Sequence, residues 1–79
     1  MQSFPIVRRD RMLTREFVAA GHTNRFTILR SREGWDVREE RDDQLVKHVS
    51  YTDWHRVERA RMNFAAHALS LELSGWKES

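Results

Sequence analysis

The chain has 79 residues, a formal net charge of +2 and no cysteine, so we expect one small domain over residues 1–79 without disulfides. It has no apolar run of the roughly 18 residues that a membrane-spanning helix requires, and its first residues have no apolar run long enough for a signal peptide. We therefore expect a cytoplasmic protein whose small core depends on tight packing or on self-association.

The N-terminal third of the chain allows two interpretations. We expect residues 1–10 to be extended or frayed. For residues 11–20 we favour a short helix, because Asp10 can serve as N-cap, Gly21 as C-cap, and apolar residues between them recur in helical register. The alternative is an extra strand that pairs with residues 25–31 through the turn AGHTN, although apolar and polar residues alternate poorly in this segment.

Residues 25–51 have the pattern of an antiparallel three-stranded β-meander. The segments RFTILRS and GWDVREE alternate apolar and polar residues, and QLVKHVSY is rich in residues that favour strands. We expect turns at SREG, where Gly34 allows a positive φ, and at RDDQ. In the third segment we expect Leu45, Val49 and Tyr51 to lie on the core side of the sheet.

Residues 53–73 have the pattern of a long helix. Ser50, Thr52 and Asp53 all suit an N-cap, Ser50 and Asp53 have the spacing of a capping box, and no glycine or proline follows until Gly75. The main apolar stripe, which should pack on the sheet, consists of Val57, Ala60, Phe64, Ala68 and Leu71, with Trp54 at its edge. The predicted fold is therefore α+β: an antiparallel three-stranded β-meander packed by a long C-terminal helix, with a short N-terminal helix or an extra strand.

A second apolar stripe lies about 150° around this helix from the first. It contains Met62, Leu69 and Leu73, with Ala66 beside it, and Trp76 follows just past the helix end. One sheet cannot cover both stripes, so the N-terminal segment or a second copy of the chain should pack on the second one. Our candidate interface residues are Met62, Leu69, Leu73 and Trp76, and the expected partner is a homo-oligomer or another protein.

The basic residues motivate an alternative function. Residues 1–32 carry seven arginines against two acids, a formal charge of +5, whereas residues 33–79 carry seven basic residues against ten acids, a charge of −3. This asymmetry favours binding of nucleic-acid phosphates. The candidate contacts are Arg8, Arg9, Arg11, His55, Arg56 and Arg59.

A topological resemblance adds to this alternative. If residues 11–20 are helical, the order α-β-β-β-α is similar to that of the double-stranded-RNA-binding domain. The last helix of that domain begins with basic residues that contact phosphates, and the resemblance implies this role for His55, Arg56 and Arg59. Asp53 and Glu58 dilute the positive charge of this helix start, and no specific motif of the domain is present.

The sequence offers little for catalysis or metal binding. It has no cysteine nucleophile and no glycine-rich phosphate loop, and its four histidines are too dispersed to suggest a set of metal ligands. The acidic residues at 39–43 belong to an expected exposed turn, whereas carboxylates need a pocket around them to serve in acid–base catalysis. We therefore predict a non-enzymatic binding or interaction module, without catalytic residues, cofactor or metal, that self-associates through the second helical stripe.

Overall fold

The computed structural model describes residues 10–79, in which five strands and one helix follow one another. Their order is β1 (Asp10–Ala19), β2 (His22–Arg30), β3 (Trp35–Arg41), β4 (Gln44–Tyr51), α1 (Trp54–Leu73) and β5 (Lys77–Glu78). All strand pairings are antiparallel, and the order across the sheet is β4-β3-β2-β1-β5. The predicted α+β class, the meander and the long C-terminal helix are confirmed, but the sheet has five strands. The prediction for residues 1–9 falls outside the described part of the chain.

The favoured helix over residues 11–20 is wrong, and the alternative strand is correct. This segment lies in β1, which pairs with β2 along almost its whole length. The turn between them has positive φ at both central residues, 50° at Ala20 and 82° at Gly21, as a type I′ hairpin turn requires. Within residues 10–79 the element order is thus β-β-β-β-α-β, so the resemblance to the double-stranded-RNA-binding domain is not supported.

The alternation in β1 is poor because one inward-facing residue is charged. Arg15 pairs with the buried Phe26 of β2, so its side chain starts on the helix-covered face of the sheet. Its guanidinium lies 5.3 Å from the centre of the Phe17 ring and donates to both carboxylate oxygens of Glu78 at 2.9 Å. A long arginine can thus occupy this face because its charged end finds a partner near the sheet edge.

A β-bulge changes the register between β3 and β4. Glu39 pairs with Lys47, but Glu40 pairs with Leu45, so Val46 is an extra residue on β4. Leu45 therefore lies across from Glu40 on the face of the sheet away from α1 and is 49% exposed. The prediction that Leu45 faces the core is wrong, whereas Val49 and Tyr51 are partly buried beneath α1.

The two ends of α1 are fixed by local hydrogen bonds. Asp53 is the N-cap, and its side chain accepts from the backbone N–H of His55 at 2.9 Å. Ser50 takes no part in a capping box, because its hydroxyl donates to Asp36 Oδ1 at 2.8 Å. At the C-terminus, the N–H of Gly75 donates to the carbonyl of Glu72, and that of Trp76 to the carbonyl of Leu71. This pair of bonds is a Schellman motif and stops the helix at the predicted place.

The core lies between α1 and one face of the sheet. The predicted main stripe of the helix is confirmed, because its residues Val57, Phe64 and Ala68 are buried and Ala60 and Leu71 are partly buried. The sheet contributes four buried apolar residues: Phe17, Phe26, Ile28 and Val37. The helix covers one face of the sheet, and the face away from α1 is mostly polar, with Thr27 and Asp36 buried on it.

Strand β5 was not expected from the sequence. It adds two residues to the outer edge of β1, where Glu78 pairs with Phe17 and Lys77 with Val18. The N–H of Ser79 also donates to the carbonyl of Glu16 at 2.9 Å. The Schellman turn directs the chain back toward the sheet, so this short strand and the Arg15–Glu78 ion pair fasten the end of the chain to β1.

Candidate functional site

The second helical stripe lies on the solvent side of α1. The exposed fractions of Met62, Leu69 and Leu73 are 69%, 59% and 81%, and Ala66 between them is also exposed. These residues are turned away from the buried face of the same helix, which packs on the sheet. Exposure of three large apolar side chains on one helix face indicates an interaction surface. We call Met62, Ala66, Leu69 and Leu73 the outer stripe.

Trp76, the fourth candidate interface residue, has a different position. It is partly buried and packs against the core, and its backbone N–H donates a hydrogen bond to the carbonyl of Leu71. Leu71 also packs against the core. An apolar residue directly after the turn commonly accompanies a Schellman motif. Trp76 therefore has a structural role at the helix end and is not part of the outer stripe.

The candidate nucleic-acid contacts are divided between two parts of the chain. His55, Arg56 and Arg59 are exposed in the first two turns of α1. Arg8 and Arg9 lie outside the described residues, and Arg11 is described only by its backbone in β1. Of the candidate contacts, those with described side chains therefore lie together at the start of α1.

The arginines of this cluster belong to a groove that the sequence analysis did not identify. A cavity of about 430 Å³ lies between α1 and strands β3 and β4. Its floor is apolar and consists of Phe26, Val37, Val49, Ala60 and Phe64. Its rim is polar and consists of Glu39, Lys47, Tyr51, Arg56, Arg59, Asn63 and His67. We call this cavity the basic groove.

A sequence signal for the groove exists on the helix. Arg56, Arg59, Asn63 and His67 are spaced by three or four residues and form a polar strip beside the main apolar stripe. Lys47 was visible only as a charged residue on the expected core side of its strand. Its position across from the helical strip depends on sheet register, which the sequence does not display.

The acidic residues at the β3–β4 turn pair with neighbouring strands. Arg25 of β2 contacts Glu40 at 2.8 Å, Asp43 at 3.0 Å and Glu16 at 3.6 Å on the face of the sheet away from α1. Burial lowers the pKa of Arg25, but the hydrogen bonds and charges of these carboxylates outweigh it and raise the pKa overall. Because this network of ion pairs joins three strands, it indicates a structural role for these carboxylates.

Asp42, at the tip of the same turn, is also held in place. It accepts from the backbone N–H of Thr23 at 3.0 Å and lies 3.1 Å from His22 Nδ1. The bond from Thr23 and then that from His22 lower the pKa of Asp42 below its usual value. The carboxylate therefore stays ionised at neutral pH and fastens the β3–β4 turn to β2.

Three observations bear on other classes of protein. Within residues 10–79, no three histidine, aspartate or glutamate side chains are grouped closely enough to hold a metal ion. The single helix of that range is too polar to cross a membrane. Comparisons with protein-family profiles, with curated proteins and with solved structures each returned no match. The outer stripe and the basic groove are therefore the two candidate functional surfaces of the described residues.

Proposed function

We propose that this protein is a small non-catalytic interaction module that associates with a second copy of itself through the outer stripe. The observation that carries the proposal is the exposure of Met62, Leu69 and Leu73 on one face of α1. Hydrophobic burial is the main driving force of association, and a small core gains stability from a partner that covers such a face.

The spacing of the outer stripe suits a helix pair. Its four residues are separated by four, three and four positions, which is the a/d spacing of a coiled coil. A twofold axis between two antiparallel α1 helices would place Met62 across from Leu73 of the partner subunit. The same axis would place Ala66 across from Leu69 of the partner subunit. One patch would then be complementary to itself, as a twofold dimer requires.

The charge pattern of α1 supports the same surface. Residues 62–71 contain no Asp, Glu, Lys or Arg, whereas Arg56, Glu58, Arg59 and Arg61 lie in the preceding turns. A solvent-facing helix surface ordinarily carries charged residues. A second copy would bury this uncharged part of the helix without desolvating a charge.

The size of the patch sets the expected affinity. A stable interface usually covers about 800 Å² per partner, and three large side chains on less than two heptads provide only part of that area. We therefore expect a dimer with a dissociation constant of about micromolar or weaker, which dissociates on dilution.

Sedimentation velocity over a wide range of protein concentration tests the proposal. The wild-type protein should shift from monomer to dimer as concentration rises, and Leu69→Glu should remain a monomer because it places a charge at the centre of the stripe. Arg61→Glu is the matched control, since it places the same side chain on the same exposed helix away from the stripe. A wild-type protein that stays monomeric throughout, or a Leu69→Glu variant that dimerises like the control, would refute the proposal.

One observation favours the alternative function, binding of nucleic-acid phosphates. Arg56 and Arg59 are exposed and make no ion pair with any residue in the range 10–79. Phosphate contacts by these residues would give binding that weakens steeply as salt rises. Labelled RNA and DNA duplexes should then shift at low salt with the wild-type protein and not with Arg56→Gln/Arg59→Gln.

A further inference from the structure

The basic groove has the dimensions of a small-molecule site. Its volume of about 430 Å³ falls within the range of about 300–1,000 Å³ that is typical of ligand pockets. It lies beside α1 over strands β3 and β4, whereas the outer stripe faces away from the sheet. A ligand in the groove and a partner on the outer stripe would therefore occupy different sides of the helix.

The floor of the groove is an apolar surface. Phe26, Val37 and Phe64 are buried residues of the core whose edges reach the cavity. Their aromatic rings and the Val37 side chain offer no hydrogen bond, so a ligand must place an apolar body against them. The partly buried Val49 and Ala60 add accessible apolar surface to the floor, and burial of that body would contribute to the binding free energy.

The rim of the groove carries excess positive charge. Arg56, Arg59 and Lys47 contribute three cations and Glu39 one anion. Glu39 and Lys47 are cross-strand partners, so these two charges offset each other. The net positive charge of the rim therefore comes from Arg56 and Arg59, on its helical side.

These two arginines differ from Arg15 and Arg25 of the sheet. Arg15 and Arg25 each make close ion pairs with carboxylates, whereas Arg56 and Arg59 make none with any residue of the described chain. Their guanidinium groups are therefore available for a ligand. Arginine is suited to planar, bidentate binding of a carboxylate or a phosphate.

We propose that the basic groove binds a small organic anion with an apolar body. Its carboxylate or phosphate monoester head lies between Arg56 and Arg59, and its aliphatic or aromatic body lies on the Phe26–Phe64 floor. The inference does not depend on self-association. It differs from the nucleic-acid alternative because the apolar floor contributes to binding and an extended polyanion is not required.

Two-dimensional amide NMR with decanoate and decyl phosphate tests the inference. Both ligands should shift the amide signals of Val49, Ala60 and Asn63, and their relative affinities identify the preferred head group. Decanol, which has the same apolar chain without charge, should bind at least about tenfold more weakly. Inorganic phosphate alone should also bind weakly, because it has no apolar body.

Matched variants assign the role of the arginines. Arg56→Gln/Arg59→Gln should bind decanoate at least about tenfold more weakly, while Arg61→Gln, on the same helix outside the groove, should bind like wild type. Both proteins should fold, since glutamine has a helix propensity close to that of arginine. Three outcomes would overturn the inference: no shifts at groove residues, equal binding of decanoate and decanol, or equal binding by the two variant proteins. The inference would also be overturned, in favour of nucleic-acid binding, if single-stranded RNA bound tightly and shifted the groove amides while neither decanoate nor decyl phosphate shifted them.

Discussion

The rings of Phe26 and Phe64 are stacked, with 4.3 Å between their centres and 11° between their planes. Phe26 belongs to the central strand β2 and Phe64 to the middle of α1, so this pair attaches the helix to the centre of the sheet. The Phe17 ring, 6.1 Å from that of Phe64, extends the cluster to β1. All three rings are buried, and aromatic pairs of this kind contribute about 0.5–1.5 kcal/mol beyond their area burial.

We expect Phe64→Ala to lower the free energy of unfolding by about 3–5 kcal/mol, because it removes a buried ring and leaves a cavity. Urea denaturation followed by tryptophan fluorescence measures this loss. Phe64→Leu keeps most of the side-chain volume, so its free energy of unfolding should fall clearly less than that of Phe64→Ala. A loss below about 1 kcal/mol for Phe64→Ala would contradict the central role of the stacked pair.

Gly34 is required for the close approach of two backbone segments. A Cβ atom added at this residue would overlap the carbonyl oxygen of Tyr51. We expect Gly34→Ala to lower the free energy of unfolding, measured by urea denaturation, by about 1–3 kcal/mol, as at other overpacked sites. Gly21→Asn is the control, because nothing lies within 4 Å of a Cβ there and asparagine tolerates positive φ. Equal stability losses in the two variants would show that the Tyr51 contact has no special effect.

The lowered pKa of Asp42 predicts a pH-dependent contribution to stability. A carboxylate whose folded-state pKa is depressed stabilises the protein above its unfolded-state pKa of about 3.9. The contribution is lost as pH falls through the folded-state pKa. Asp42→Asn should therefore melt at a lower temperature than wild type at pH 7, and the difference should disappear in strong acid.

Thermal melts monitored by circular dichroism between neutral and strongly acidic pH check this sign. Asparagine tolerates the positive φ of 53° at this position, so the substitution does not add backbone strain. Glu33→Gln, at an exposed loop residue, is the control and should follow the wild-type curve. A difference between wild type and Asp42→Asn that persists unchanged in acid would argue against a titrating carboxylate.

The ion pair between Arg15 and Glu78 should hold β5 on the sheet. We expect Glu78→Gln to speed amide hydrogen exchange in β5 and at Ser79, while exchange in β2 remains unchanged. The lowered pKa of Glu78, caused by the hydrogen bond from Arg15, predicts that this protection is present at neutral pH and lost in acid.

A double-mutant comparison isolates this pair. Arg15→Gln and Glu78→Gln should each speed amide hydrogen exchange in β5. Exchange in the double variant should be no faster than in either single variant. Additive effects of the two substitutions would instead indicate that each side chain acts through other contacts.

The meander and the helix could be predicted because their signals are local. Trp35 and Val37 alternate with polar residues, and Val57, Phe64 and Ala68 recur at helical spacing. β1 lacked such a signal, since Arg15 occupies an inward-facing position and depends on Glu78, a residue 63 positions away. Its hairpin turn also uses Ala20 where asparagine or aspartate is typical, so the strand and its turn were predicted only as the less favoured alternative.

The outer stripe was visible in the sequence as a helical pattern, but the groove was not. It requires Lys47 to lie across from Arg56 and Arg59, and this depends on the register of β4. The bulge at Val46 sets that register and also turns Leu45 to the face of the sheet away from α1. A single extra residue in a strand changes which side chains share a face, and hydrophobic periodicity alone does not reveal it.

The attachment of β5 to β1 has a consequence for the order of folding. The meander and the helix are built from contacts between neighbours in the chain, which form rapidly. Pairing of Glu78 with Phe17 closes a loop of about sixty residues, and its entropic cost is repaid only once the intervening elements are in place. We expect β5 to join the sheet last during folding, so the chain would pass through a four-stranded stage with the free edge of β1 uncovered.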